Sequence, residues 1–355
     1  MPVTEPCYCT REQVKRATDF KETARSDAQI DRAIQAAART IEGELHRVFY
    51  PTDATRYFDW PNFQYAYPWR VWFDQWELAA IPTSVTSGGV TIPLTACYFE
   101  PVNSGPPYRY LELRRDQPYS FGVGSTPQRD IAITGTWGYT VDTAPAGQLA
   151  AAVSSTTSTT VTVSDGSLVG IGDLLIVDAE RMLVSGRATA DTGQTIVAGA
   201  TTANPGDNAI TVPDGTQLHV DEVLQVDSER MLTLDVTGNV ATVKRAWDGT
   251  VLATHATGAH VYAFRTLTVL RGQLGTIAAT HSNAAAASTH RVPSLVRDWA
   301  VAEASNQVLQ EIGGYARVAR TSSGGSKPAS APIALDDLRD RACTRYGRKA
   351  RIRVV

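Results

Sequence analysis

The chain has 355 residues, with 33 basic and 36 acidic side chains, a formal net charge of −3 and four cysteines. That length allows two or three domains with ample core, and the near-balanced charge gives no global pointer to nucleic acid or to a membrane surface. No apolar run is long enough to span a bilayer, and Met1 does not open a secretory signal. Cys7, Cys9, Cys97 and Cys343 lack zinc-type spacing, and Cys7-x-Cys9 is too tight for a CxxC knuckle. They read as free thiols in a protein assembled in the cytosol.

Residues 1–9 contain two prolines and no pattern, and read as a flexible arm. Thr10 to Thr18 reads as a short helix, with Thr10 and Gln13 at capping-box spacing and Val14 and Ala17 as a small apolar contact. The stretch Ser26 to Phe49 carries the clearest helix signal in the chain. Ile30, Ile34, Ala37, Ile41, Leu45 and Val48 recur at steps of three and four and line one face. Ser26 is the expected N-cap with Gln29 closing a capping box, and Pro51 stops the helix. The two helices form an αα-hairpin.

Residues 50–82 crowd Tyr57, Phe58, Trp60, Phe63, Tyr65, Tyr67, Trp69, Trp72, Phe73 and Trp76 together with Pro51, Pro61 and Pro68. Near-alternate aromatics fit strands of a small sheet that pack in a core or an interface. Interleaved with Arg56 and Arg70, they also fit a ligand-stacking platform. Val85 to Ile92 is a hairpin with a Gly88-Gly89 turn, and Ile131 to Tyr139 is the next strong strand. A helix is expected from Pro293 to Glu311, with Leu295, Trp299, Ala302, Val308 and Leu309 on its apolar face. Residues 321–330 have linker composition. Leu335 to Tyr346 is a last short helix with Leu335, Leu338, Ala342 and Tyr346 on one side, followed by a basic tail.

Residues 150–291 have β character and contain internal repeats. Residues 164–183 match 213–232, and residues 243–255 match 269–281. Asp-Gly or Gly turn signals separate short β runs in each copy, as in a hairpin or half of a small barrel. Asp178/Glu180 and Asp227/Glu229 form paired carboxylates of the kind a hydrolase uses. Pairing of Glu180 and Glu229 with a basic neighbour explains them as well, and duplication argues for a repeated structural turn. His255 and His281 each follow Ala-Thr and fit turn or core positions better than metal ligation. No GxSxG, HExxH, Walker A or GxGxxG motif occurs.

The fold class expected is therefore α+β. A helical core (the αα-hairpin plus the C-terminal helices) carries a small β-sheet, with an all-β domain of internal repeats inserted in a loop. The core comprises 1–149 and 292–355, and the insert 150–291.

Several features together resemble the head–tail connector (adaptor) proteins of long-tailed bacteriophages. They are the short capped helix, the long helix ending Leu45-His46-Arg47-Val48-Phe49, Asp59-Trp60-Pro61, the strand end Thr136-Trp137-Gly138-Tyr139, the Val292-Pro293 helix start and the basic terminal helix. The resemblance covers about 10–149 and 292–355, and the duplicated β insert departs from it. It implies a structural virion protein of the neck, with no enzymatic activity and no cofactor or metal. Such a protein forms a twelve-fold homo-oligomeric ring that docks on the portal protein, receives a tail or stopper protein, and lets DNA pass without sequence-specific contact. Carried onto this chain, Leu335, Leu338, Tyr346, Arg348, Lys349, Arg351 and Arg353 would dock on the portal. Ile30, Ile34, Ile41, Leu45 and Trp299 would lie between subunits. A carbohydrate-binding module, using the aromatic span or the β insert as its platform, is the alternative reading.

Overall fold

A computed structural model describes residues 2–18, 27–60, 67–73, 76–199, 202–312, 318–320, 326–328 and 333–348. The helices are α1 (Arg11–Thr18), α2 (Asp27–Leu45), α3 (Ser294–Ile312) and α4 (Ile333–Tyr346). The first seven strands are β1 (Thr52–Phe58), β2 (Arg70–Trp72), β3 (Ser84–Ser87), β4 (Val90–Ile92), β5 (Cys97–Glu100), β6 (Tyr110–Leu113) and β7 (Ile131–Trp137). Next come β8 (Thr143–Gln148), β9 (Thr160–Thr162), β10 (Leu174–Val177), β11 (Glu180–Thr195), β12 (Ala198–Gly199) and β13 (Ala209–Thr211). Then follow β14 (Val223–Val226), β15 (Glu229–Thr237), β16 (Val240–Lys244), β17 (His260–Leu270) and β18 (Ala286–His290), with a short pair, β19 (Val318–Arg320) and β20 (Ser326–Pro328), after α3.

The expected helical core is not what the chain builds. Strand outweighs helix, 34% against 22%, and the sheets carry the architecture. The physical reason lies in where the apolar mass sits. The apolar stripe of α2 is real, but across the whole core the strands contribute more buried apolar residues than the helices, through alternate residues that point inward. Contacts divide the chain into two compact units. One comprises Met1–Thr40, Ala144–Gln273 and Ile277–Ala342, the other Ile41–Thr143, Leu274–Thr276 and Cys343–Val355, and the division falls within α2 and within α4.

In the unit built on 41–143, one antiparallel sheet has the order β1-β7-β3-β4 and a second has the order β2-β6-β5. β7 alternates strictly, burying Ile131, Ile133, Gly135 and Trp137. Ile131, Ile133 and Trp137 form one cluster with Val71, Phe73, Val85, Phe99 and Leu111, and Phe58, Trp60, Trp69 and Trp76 pack on it. Among the described aromatics of the span, Phe58, Trp60, Trp69, Phe73 and Trp76 therefore fill or line a core, while Tyr57 and Tyr67 stay 60% and 44% exposed; Phe63 and Tyr65 lie outside the described residues. The β3–β4 hairpin turns at Gly88 and Gly89, both with positive φ, as a tight two-residue turn requires. Arg47 follows α2 and makes a buried ion pair with Glu77, Nε to Oε2 at 2.8 Å.

The other unit is dominated by an eleven-stranded sheet. The sequence repeats are structural repeats, as the registers show. Leu183 pairs with Leu270 in the first copy as Leu232 pairs with Lys244 in the second. Leu175 opposite Thr289 corresponds to Leu224 opposite Ala263, and Val161 opposite Leu267 to Ile210 opposite Ala241. The second copy is thus nested inside the first, and they share β17. The N-terminal half of β17 closes the inner copy against β14, and its C-terminal half pairs with β9 and β11 in the outer copy.

α1 begins with the expected capping box. The Thr10 amide donates to Gln13 Oε1 at 3.1 Å, and the Gln13 amide donates to Thr10 Oγ1 at 3.2 Å. Its first turn sits on the outer copy, where the Arg11 amide donates to the Ile171 carbonyl and the Ile171 amide to Glu12 Oε2. The capping residue expected for α2, Ser26, lies outside the described residues. α2 ends at Leu45, short of Phe49, because His46 takes a left-handed conformation with φ 50°.

Candidate functional site: two Asp–His–Glu–Arg clusters

The two copies place the same four side chains in the same arrangement. Glu180 opens β11 and Glu229 opens β15, each after a tight turn in which Asp178 or Asp227 adopts positive φ. Asp tolerates that conformation better than most residues. Glu180 accepts from Arg271 Nε and Nη2, both at 2.7 Å, from the amides of Gly272 and Ala279 at 3.0 and 2.9 Å, and faces His281 Nε2 at 2.9 Å. Glu229 repeats the set with Arg245 at 2.7 and 2.8 Å, Ala246 and Ala253 at 2.8 and 2.9 Å, and His255 at 3.0 Å. The other ring nitrogen of each histidine meets an Asp oxygen at 2.8 Å, Asp178 for His281 and Asp227 for His255. An ionised carboxylate only accepts, so a histidine nitrogen bonded to one must carry the proton.

The remaining arginine protons are spent on backbone carbonyls. Arg245 reaches Asp207 at 2.9 Å and Ala253 at 2.6 Å. Arg271 reaches Ser155 and Ser158 at 3.2 and 3.1 Å, and also Ala279. Both glutamate and both imidazole side chains are fully shielded from solvent. Each cluster therefore ties both ends of a loop, 246–253 or 272–279, to the start of a strand through one carboxylate. A carboxylate so surrounded has no lone pair turned toward a substrate, and the arrangement is a clamp, not a proton relay.

Sequence reasoning placed Glu180, Glu229, His255 and His281 as structural residues but missed their partners. The basic partner is not the adjacent Arg181 or Arg230. It is Arg271 or Arg245, ten residues ahead of the histidine in each copy. That shared spacing was the available signal.

Burial alone would raise the glutamate pKa values. The guanidinium, the amides and the histidine outweigh it and hold Glu180 and Glu229 at about 2, against an ordinary 4.5. A carboxyl depressed on folding stabilises above its unfolded value and loses that contribution as pH falls through the folded value. Asp173, placed in the outer copy as Glu222 is in the inner, behaves oppositely. Burial pushes it up to about 7, against the Gly170 amide that favours its charged form. Its contribution is complete below 3.8 and is lost as pH rises through about 7. Glu222 instead has its own arginine, accepting from Arg265 Nε at 2.7 Å and Nη2 at 2.8 Å. Urea titrations are therefore expected to show stability falling from about pH 5 to pH 2 through the two glutamates. Asp173→Asn should remove a separate, opposite decline between about pH 4 and pH 7.

A cavity of about 100 Å³ lies beside α1, with Arg11, Lys15, Arg187 and Arg230 facing Glu12, Asp27 and Asp248. Its charges answer one another: Lys15 meets both Asp27 and Asp248 at 2.5 Å, and Arg11 meets Asp27 at 3.1 Å.

The residues expected between subunits lie inside the chain's own packing. Ile30, Ile34, Ile41 and Leu45 are fully buried, and Trp299 is 1% exposed. Of those expected to dock on a portal, Leu335 and Tyr346 are largely buried and Leu338 is half-buried. Tyr346 stands edge-on to Phe49 and Tyr139. Arg348 donates its amide to the Leu45 carbonyl at 3.1 Å and its guanidinium to the Phe73 carbonyl at 2.9 Å. Lys349, Arg351 and Arg353 lie outside the described residues. Among the described residues, no group of three His, Cys, Asp or Glu side chains is placed to hold a metal ion, and no helix is long and apolar enough to cross a membrane. No protein-family model, curated protein or solved structure matches this chain.

Proposed function

We propose that the protein is a structural component of a bacteriophage neck. In this reading it forms a homo-oligomeric ring, twelve-fold by resemblance, that docks on the portal protein and joins the DNA-filled head to a tail or stopper protein. It resides in the virion, and DNA passes through its channel without sequence-specific contact. The observation that carries the reading is the order of elements: a short capped helix, a long helix, a small sheet ending at Trp137, a helix starting after Pro293 and a terminal helix leading to a basic tail. The clamped carboxylates of the repeats support it as well, since they serve loop geometry in place of chemistry.

A weak basic contact gains from ring symmetry, because many such contacts act together. Deleting residues 327–355 is expected to abolish attachment to portal-bearing capsids, read by co-sedimentation and by electron microscopy of the neck. Full attachment by the truncated chain would count against the reading.

A further inference from the structure

Residues 7–12 lie as a strap across the turn 170–173 of the outer copy. The Cys7 amide donates to the Gly172 carbonyl at 3.3 Å and the Arg11 amide to the Ile171 carbonyl at 3.0 Å. The Ile171 amide donates back to Glu12 Oε2 at 2.8 Å. Two glycines make room for the strap. A Cβ on Gly170 would stand 2.5 Å from Glu12 Oε2, and one on Gly172 would stand 3.1 Å from the Cys9 carbonyl oxygen. The inner copy has His219 and Asp221 at these two places, so the outer turn alone is shaped to receive a strap.

The same turn holds Asp173. Its Oδ2 accepts from the Gly170 amide at 2.8 Å, beside the Ile171 amide that serves Glu12. One carboxyl from the turn and one from the strap thus sit on consecutive amides, where each opposes the ionisation of the other. The inner copy avoids this conflict, because Glu222 has Arg265 as a fork partner. The residue matching Arg265 in the outer copy is Arg291, which is exposed, and Asp173 is one methylene shorter than Glu222. The other charged or titratable groups facing Asp173 are Arg187 from β11, Arg297 from α3, and Cys7 and Cys9 from the strap. From α2, Asp31 and Arg39 act on Cys7. Arg187 is already engaged, 3.4 Å from Glu12 and donating to the Gly166 carbonyl at 2.6 Å. Asp173 keeps some contact with solvent, so it can exchange its proton while the strap is closed.

We propose that this strap is a proton-gated latch: protonated Asp173 lets residues 7–12 close on the turn, and its ionisation beside Glu12 releases them. The latch does not depend on the ring reading. Burial holds the Asp173 carboxyl at about 7 in the closed form, and solvation on opening returns it toward 3.8. A carboxyl raised on closing favours the closed form fully below 3.8 and loses that effect as pH rises through about 7, so opening grows with pH.

The test is amide hydrogen exchange of the full chain from about pH 5 to pH 8, corrected for the intrinsic rate. The Cys7 and Arg11 amides are expected to lose at least about tenfold in protection over that range. They should exchange faster than β14–β16 at every pH and respond little to urea below about 1 M, as local opening does. Asp173→Asn is expected to hold strap protection constant with pH. Glu12→Gln, which keeps an oxygen for the Ile171 amide and removes the like charge, is expected to shrink the fall. Constant protection in the native chain would overturn the latch. So would a fall of native size in either variant, or strap amides that share the protection and urea dependence of β14–β16.

Discussion

Replacing Arg271 by alanine is expected to destabilise the protein by about 3–5 kcal/mol, because it leaves a buried carboxylate without its charge partner. The loss has several parts. Glu180 forfeits two charge-assisted bonds in fork geometry, and the carbonyls of Ser155 and Ser158 lose their donor. Arg271→Lys should recover little of this, since an ammonium cannot span both carboxylate oxygens and reach the carbonyls at once. Arg245→Ala should have a similar effect through Glu229. Urea unfolding of the single variants and of Arg271→Ala/Glu180→Gln measures the coupling directly. A double variant whose loss equals the sum of the two singles would show that the pair does not act as a unit.

Trp137→Ala is expected to cost about 3–5 kcal/mol in the unit built on residues 41–143. Trp137 is fully buried at the end of β7. It meets Phe73 edge-on at 5.3 Å and Phe58 at 6.0 Å, and the guanidinium of Arg56 lies 5.3 Å from its ring centre. Its indole N–H donates to the Ala54 carbonyl across the β1–β7 pairing at 2.9 Å. Truncation therefore opens a cavity and also strands an acceptor. Trp137→Phe keeps much of the ring volume and loses the hydrogen bond, so about 1–2 kcal/mol is expected for it. A change below about 1 kcal/mol for the alanine variant would mean that the surrounding rings collapse into the space.

Local features were legible in the sequence where one residue or one period decides them. The α1 capping box, the Gly88-Gly89 turn and the inward alternation of Ile131, Ile133 and Trp137 are of that kind. The repeats were legible too, because their turn signals recur at matched positions. The balance of the fold was not. The period of α2 shows which of its faces is buried but not what covers it, and a long apolar stripe looks the same against a helix as against strands. The clusters were half legible for a related reason. Asp178 and Glu180 share one turn into β11, but Arg271 follows the end of β17, 91 residues on, and only the β11–β17 pairing brings it there. Periodicity likewise cannot tell an internal contact from one between copies, and Ile30, Ile34, Ile41, Leu45 and Trp299, expected between subunits, are buried within the chain.

The nesting of one repeat inside the other predicts an order of events during folding. In the inner copy Glu229 and Arg245 are 16 residues apart, whereas Glu180 and Arg271 in the outer copy are 91 apart. Closing the longer loop in an otherwise unfolded chain costs about 1.5 kcal/mol more in chain entropy. Once the inner hairpins have formed, the intervening segment is already compact and β17 has its N-terminal half in place. The outer strands would then add to an existing template, so the enclosed repeat is expected to fold first, with higher φ-values in β14–β16 than in β9–β11 as the check.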